Sequence, residues 1–176
     1  GNPGIYTSTM SISNFPPGQT VTSVACIANV CMNVGHSFLG DLSITLTCPN
    51  ASTVALKSFP GGGGNWLGRP CDNGGMNIPV GVPFYYEWPA NAVPSFGIMN
   101  TAATVPSTDP CSGFGGNTLP SGTYTTNSAF SNLVGCPLNG TWSVTVVDQW
   151  GADDGHLVSW GIAFDSTILP PTVINF

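Results

Sequence analysis

The carboxylates are the side chains of this sequence that could most readily do chemistry. Asp41 follows a glycine just before an alternating apolar segment, and Asp148, Asp153 and Asp154 border the turn between the last two such segments. Carboxylate oxygens in loops are the ligands that a hard divalent cation such as Ca²⁺ prefers. Because the chain has eight acidic and only two basic residues, most of these carboxylates lack a cationic neighbour. We therefore predict a structural calcium ion as cofactor, held by loop carboxylates.

Two further acidic residues belong to the predicted set of metal ligands. Asp72 lies in a glycine-rich connection, and Glu87, the only glutamate, lies among aromatic residues where partial burial would demand a partner. Other interpretations fit the same residue types. The Asp41 carboxylate could accept hydrogen bonds from the backbone of its own turn. The carboxylates around Asp148 could serve only to solvate the tip of a hairpin.

Four aromatic residues in or near the predicted loops could stack on sugar rings: Trp66, Tyr86, Trp88 and Trp150. The competing interpretation is that they pack inside the fold, since large aromatic side chains supply much of the buried area of a small domain. These residues are therefore compatible with a carbohydrate-binding or adhesive module, and equally with a module whose aromatic residues are structural.

No arrangement of nucleophile and base predicts catalysis. Ser37 follows His36, and Ser159 lies three residues after His156. A hydrolase needs the hydroxyl and the imidazole in contact, whereas neighbours along a strand point to opposite faces. Neither a G-x-S-x-G nor an H-E-x-x-H pattern occurs. We expect this chain to be non-catalytic, even where the larger protein that contains it is a serine endopeptidase.

The formal net charge of −6 argues against partners with an anionic surface. Nucleic-acid binding requires several Lys or Arg side chains that release counterions, and anionic lipid surfaces attract basic segments. No run of eighteen apolar residues occurs, so no segment is predicted to insert into a membrane. We expect a monomer whose ligands are proteins or glycans.

Six cysteines form an even set without any C-x-x-C pair: Cys26, Cys31, Cys48, Cys71, Cys111 and Cys136. Zinc is improbable because only two histidines accompany them. Their spread along a polar chain predicts that all six form disulfides in an oxidising compartment, and the sequence leaves their pairing open. We therefore expect an extracellular or cell-surface protein.

The elements that must position these side chains are strands. Apolar residues alternate with polar ones in five segments, namely 21–34, 42–48, 53–58, 141–146 and 158–164. Residues 5–12 and 124–130 are two further candidates for short strands. No window of ten residues has helical periodicity, and the connections 60–81 and 88–122 are rich in Gly, Pro, Ser and Thr. Short strands separated by turn residues predict an all-β sandwich or barrel of antiparallel strands with disulfide-stapled loops.

Two segments closely resemble the P domain of proprotein convertases, also called the homo B domain. The first contains a H-x-x-x-G-D-L turn before a strand that ends at a proline, and the second contains a G-x-W strand followed by D-G-x-L-x-x-W. The matching positions are His36, Gly40, Asp41, Leu42, Pro49, Thr53, Gly140, Trp142, Asp154, Gly155, Leu157 and Trp160. Cys48 replaces the usual serine, and the central cysteine-bearing loops resemble those of P domains in secreted or surface proteins of bacteria.

The resemblance implies a jelly-roll β-sandwich without catalytic activity. Such modules often follow a subtilisin-like protease domain and support the folding, stability or specificity of their neighbour, and several bacterial members bind calcium through acidic loops. We accordingly expect one module over residues 1–169, with 170–176 as a tail or the start of a linker. The expected function is an accessory module that contacts neighbouring domains of its parent protein. The alternative is a carbohydrate-binding or adhesin module that uses the loop aromatics.

Overall fold

The fold is all-β, as the alternating segments predicted. It is given by a computed structural model, which describes residues 3–72 and 78–170. The predicted tail, apart from Pro170, lies outside the described residues. In chain order the strands are β1 Gly4–Ile12, β2 Ile27–His36, β3 Leu42–Thr47, β4 Thr53–Lys57, β5 Trp66–Leu67, β6 Phe84–Pro89, β7 Val105–Thr108, β8 Gly115–Leu119, β9 Gly122–Thr123, β10 Gly140–Asp148 and β11 Gly155–Phe164.

The strands form two sheets that enclose one apolar core. The smaller sheet has the order β1-β10-β3-β4, and its pairs are all antiparallel. The larger sheet has the order β7-β8-β5-β2-β6-β9, with β11 paired to β2. Two short pairs in it, β5 with β8 and β6 with β9, are parallel. The predicted purely antiparallel arrangement is therefore wrong for these short strands, which join long connections rather than hairpins.

The core follows the period of two that the sequence displays. Leu42, Ile44 and Leu46 of β3 are fully buried, as are Trp142 and Val144 of β10. The hydroxyl-bearing residues between them lie on the opposite face of the smaller sheet. Register in both strands is fixed because a slip of one residue would exchange the two faces.

Three strand predictions differ from the structure in their local geometry. The predicted strand 21–34 begins only at Ile27, after a short 3-10 helix at Val24–Cys26. The predicted strand 124–130 is absent, and its end is a 3-10 helix at Phe130–Leu133. Val158, expected inside, is 52% exposed because the pairing of β11 with β2 shifts between Leu157 and Ser159.

Two disulfides staple the fold. Cys48–Cys136 links residues 88 positions apart, and Cys71–Cys111 links two long connections 40 positions apart. Cys26 and Cys31 carry free thiols, so the expectation that all six cysteines are bridged is wrong for this pair. Disulfides fit an oxidising compartment. Among the described residues, no helix is long and apolar enough to cross a membrane.

Candidate metal site

Three aspartates from distant parts of the sequence meet at one end of the smaller sheet. Asp41 ends the short 3-10 helix Leu39–Asp41, Asp148 is the last residue of β10, and Asp153 lies in the turn before β11. They meet because β10 pairs with β3 so that Asp148 lies opposite Leu42. The backbone N–H of Gln149 also donates to the Asp41 carbonyl, at 3.0 Å.

The spacing of the three carboxylates suits a single divalent cation. One oxygen from each of Asp41, Asp148 and Asp153 lies within 4.8 Å of the other two. Two oxygens bound to the same Ca²⁺ at about 2.3–2.6 Å can lie no more than about 5 Å apart. The three side chains can therefore bind one hard cation together, and backbone carbonyls or water would complete its usual 6–8 oxygen ligands.

The pKa of Asp153 shows that these carboxylates crowd one another. Burial, together with the Asp41, Asp148 and Asp72 carboxylates, raises this pKa to about 6, although His36 acts to lower it. A like charge nearby disfavours ionisation, whereas a cation placed between the groups would favour it. The turn is thus short of positive charge where the three side chains converge.

His36 directs a polar ring N–H toward one of the three carboxylates, that of Asp148. Its Nε2 lies 3.5 Å from Asp148 Oδ2, and its Nδ1 accepts the backbone N–H of Phe38 at 3.1 Å. The Nδ1 atom must be unprotonated to accept that bond, so the ring carries its proton on Nε2, toward the carboxylate. His36 lowers the pKa of Asp148, and a backbone bond from Trp150 does so as well, whereas partial burial opposes both.

A buried lysine lies on the other side of the aspartates. Lys57 Nζ donates to the carbonyl of Leu42 at 2.6 Å, one residue from Asp41. Burial lowers the pKa of Lys57 to about 8, and the Asp41 carboxylate acts in the opposite direction. The strand alternation did not predict this burial. The pairing of β3 with β4 shifts at Leu56, so that Lys57 lies opposite the buried Ile44.

Contacts between β2 and β11 hold the acidic turn in place. The backbone N–H of Ser37 donates to the carbonyl of Asp154, and the N–H of Asp154 donates to Ser37 Oγ, each at 2.9 Å. Gly155 lies opposite His36 in the strand pairing, and a Cβ atom at this glycine would overlap the imidazole ring. The glycine of the D-G-x-L-x-x-W pattern thus lets the histidine of the first pattern reach Asp148.

The same contacts prevent His36 and Ser37 from forming the base–nucleophile pair that a hydrolase requires. Both ring nitrogens are engaged, one by Phe38 and one by Asp148, and the Ser37 hydroxyl accepts a backbone N–H. A general base must take a proton from a nucleophile within hydrogen-bond reach, and no such pair forms between His36 and Ser37.

The other predicted metal ligands lie outside the group of three. Glu87 accepts a hydrogen bond from Asn29 Nδ2 at 2.7 Å and lies opposite Cys31, in the middle of the larger sheet. The backbone N–H of Asp72 donates to Asp109 Oδ2 at 3.3 Å. Asp154 follows Asp153 in the turn, but it is not among the three whose oxygens converge. Asp72 is near enough to raise the pKa of Asp153, but its oxygens do not converge with those of the three, and Glu87 lies in the larger sheet. The predicted grouping of Asp41 with Asp72 and Glu87 therefore does not form.

Asp109 was missed by sequence reasoning because it lies in the irregular middle of the chain. It accepts hydrogen bonds from Ser112 Oγ at 2.7 Å and from the backbone of Cys111 at 2.7 Å. Burial raises its pKa, but these bonds and one from Asp72 outweigh that effect, so the pKa lies below its usual value. Its neighbours Cys71 and Cys111 are joined in a disulfide, which leaves the carboxylate a structural cap rather than a metal ligand.

The predicted sugar-stacking platform does not form. Tyr86 and Trp88 are fully buried and Trp66 is almost so, so none of these three rings has a face available to a sugar. Tyr86 and Trp88 occupy alternate positions of β6 and pack in the core, whereas the Trp66 ring lies against Gly116 of β8. Only Trp150, which is 58% exposed, keeps the accessibility that the prediction required.

Comparisons with protein-family models, with curated proteins and with solved structures found no match to this chain.

Proposed function

We propose that this chain is a non-catalytic accessory module, of the P-domain type, in a larger secreted or cell-surface protein. In this proposal a calcium ion bound by Asp41, Asp148 and Asp153 stabilises the module, and the module contacts and stabilises its neighbouring domains. The observation on which the proposal depends is that two segments, distant in the sequence, bring their carboxylates together. The G-D-L turn and the acidic turn before D-G-x-L-x-x-W are more than a hundred residues apart in the sequence, yet their carboxylates share one small volume.

The role of the ion follows from the electrostatics of the turn. Three carboxylates within reach of one another repel, and the pKa of Asp153 is raised to about 6 by burial first and by the Asp41 and Asp148 carboxylates in addition. A divalent cation binds only when the turn and the 3-10 helix are folded together. Its binding free energy is therefore added to the stability of the native state.

The location of the module is inferred from its bridges and its charge. Two disulfides that close long loops favour an oxidising environment. Calcium-binding modules of extracellular proteins have dissociation constants of about 10⁻⁴–10⁻³ M. A weak site of three aspartates is suited to such conditions, whereas an intracellular sensor requires tighter binding.

Thermal unfolding in EDTA and in millimolar calcium chloride tests the metal. At calcium a hundredfold above the dissociation constant we expect a gain of about 2.7 kcal/mol. For a chain of this size that gain corresponds to a rise in Tm of roughly 5–11 °C. Asp41→Asn should remove the rise, because it deletes one of the three charged ligands without changing side-chain volume.

The matched control is Asp165→Asn. Asp165 is also a single carboxylate in a turn, where it accepts hydrogen bonds from Thr167, but it lies outside the three-aspartate group. The control should keep the full calcium-dependent rise in Tm. Equal melting curves of the unmodified protein in EDTA and in calcium would remove the metal from the proposal.

A further inference from the structure

The edge strand β1 presents a row of backbone groups without a partner strand. Gly4–Ile12 pairs with β10 on one side, and within residues 3–72 and 78–170 no strand pairs with its other side. Natural edge strands usually carry a charge, a proline or a bulge, since these features prevent pairing with another chain. The sequence of β1, GIYTSTMSI, has no charge and no proline, and its pairing with β10 has no bulge. This edge is therefore open to a further strand.

Apolar surface is exposed along the first half of the strand. A cleft of about 420 Å³ lies between the two sheets at this end, lined by Ile5 and Tyr6 of β1 and by Val34 and Leu157 of the larger sheet. Ile5 is 71% exposed and Tyr6 is 55% exposed. A strand added to β1 would satisfy the free backbone groups and cover part of this apolar surface.

The strand can pair with a second copy of itself over its whole length. In an antiparallel pair with its two-fold axis at Ser8, Gly4 of one copy lies opposite Ile12 of the other, and each of the nine residues has a partner. Opposite residues of such a pair point to the same face of the sheet. The even-numbered residues of β1 face inward with their partners in β10, and they meet even-numbered residues of the second copy. The contact is thus self-complementary, as in most two-fold dimers.

The side chains that this pairing places opposite one another are compatible. Tyr6 shares the inward face of Val146, its partner in β10. In the self-pair it lies opposite Met10 of the second copy, and methionine makes favourable contacts with aromatic rings. On the outward face, Thr7 of one copy lies opposite Thr9 of the other, and such pairs of hydroxyl-bearing residues stabilise antiparallel strands.

The charge distribution favours an antiparallel contact between two copies. Each copy has a net charge of −6, so a dimer contact must keep the acidic groups apart. Asp148 lies opposite Gly4, which places the three-aspartate group at the first end of β1. In the self-pair the two groups lie at opposite ends, about 27 Å apart for nine residues at about 3.4 Å each, which is about three Debye lengths at physiological ionic strength. No charged residue precedes Asp41 in the sequence, so β1 itself adds no repulsion.

We propose that β1 is a self-association surface through which two copies of this chain form a two-fold dimer. Backbone hydrogen bonds between the two strands join the two smaller sheets, each of four strands, into one continuous sheet. This dimer goes beyond the proposed accessory function, and it does not depend on calcium, because β1 contributes none of the three metal ligands.

Sedimentation velocity of the unmodified protein, from about 1 µM to about 1 mM, tests the dimer. We expect a monomer–dimer equilibrium with a Kd below about 1 mM, equal in calcium and in EDTA. Hydrogen exchange at the two ends of this concentration range should show new protection of alternate backbone amides in β1, because only alternate amides point toward the open edge.

A pair of charge variants tests the register of the contact. Thr7→Lys with Thr9→Lys places lysine opposite lysine in the self-pair, and Thr7→Glu with Thr9→Glu places glutamate opposite glutamate. Each double variant should weaken self-association by about tenfold or more. An equimolar mixture of the two should form a heterodimer, because each lysine then lies opposite a glutamate. Both threonines are exposed, so the folded state should tolerate the changes.

Thr53→Lys is the control for added charge. It lies at the exposed start of β4, at the opposite edge of the same sheet, and should leave the Kd of the dimer unchanged. An effect equal to that of the lysine variant in β1 would mean that the added charge, and not its position, weakens association.

Four results would overturn the dimer proposal. The first is the monomer expected from the sequence, found at every concentration. The others are an unchanged Kd in the lysine variant, no heterodimer in the mixture, and a dimer that forms only in calcium, which would place the contact at the metal site. The calcium-dependent rise in Tm should persist in the lysine variant, so failure of the dimer and failure of the metal site are distinguishable.

Discussion

Lys57 is the residue whose burial has the most direct consequence for stability. Its ammonium group is fully enclosed and donates to a backbone carbonyl, yet its pKa is lowered to about 8 because burial disfavours the charge. Between pH 8 and 10.5 the unfolded chain keeps this proton while the folded chain releases it. Stability must rise with pH wherever the unfolded state binds more protons.

We therefore predict that Tm, measured in EDTA, rises between pH 8 and about pH 10. Above that pH the sign reverses, because burial raises the pKa of Tyr86 and Tyr124. These tyrosines then ionise only in the unfolded chain, near pH 10. Lys57→Met should reduce the rise between pH 8 and 10, leaving the part due to the lowered pKa of the Cys26 thiol, and keep the fall above it. A flat or falling Tm in the unmodified protein over that range would show that Lys57 is not buried as described.

At the scale of residues, the sequence was sufficient to predict which acidic side chains belong to the candidate site, but not which polar side chains are buried. Asp41, Asp148 and Asp153 could be predicted because the amino-acid sequence alone shows acidic residues that lie in turns and have no basic neighbours. Lys57 could not, since its burial depends on an irregularity in the pairing of β3 with β4. The free thiols of Cys26 and Cys31 were also beyond the sequence, which gives the number of cysteines but not which of them meet.

The pairing of β2 with β11 is the element that joins the two acidic segments. His36 lies opposite Gly155 at the end of this pair, and the imidazole occupies the space that a Cβ atom would take. The position must therefore be glycine if His36 is to face Asp148. Adding a methyl group to a packed position forces neighbouring groups to shift, at a cost of about 1–3 kcal/mol.

We predict that Gly155→Ala destabilises the protein by about 1–3 kcal/mol and also weakens the calcium-dependent rise in Tm. Both effects arise because the displaced His36 ring no longer supports Asp148. Gly115→Ala is the control, because an added Cβ atom in β8 meets nothing within 4 Å. Urea unfolding of both variants measures the difference. Equal stabilities would mean that the His36 ring moves aside without cost.

At the scale of elements, the long strands of regular alternation could be predicted and the short ones could not. The segments of β3 and β10 follow the sequence alternation closely, because each packs one face on the core. The strands β5, β7, β8 and β9 lie in the connections that read as irregular. They are two to five residues long, too short for a period of two to be recognised.

At the scale of the whole molecule, the cleft, the start of β1 and the acidic turn lie together at one end of the sandwich. Two disulfides link segments that are distant in the sequence. Sequence reasoning could predict the sandwich and its acidic loops. It could not predict that the three aspartates and the cleft are adjacent, because that depends on how the two sheets pack.

The central claim is that two distant sequence patterns fold into one calcium site. The most direct test is isothermal calorimetry with calcium chloride titrated into protein freed of metal with EDTA. We predict one ion per chain for the unmodified protein and for Glu87→Gln, whose carboxylate lies in the larger sheet. Asp41→Asn, Asp148→Asn and Asp153→Asn should each abolish binding at that site. Equal binding by Asp41→Asn, or no saturable binding by the unmodified protein, would contradict the account.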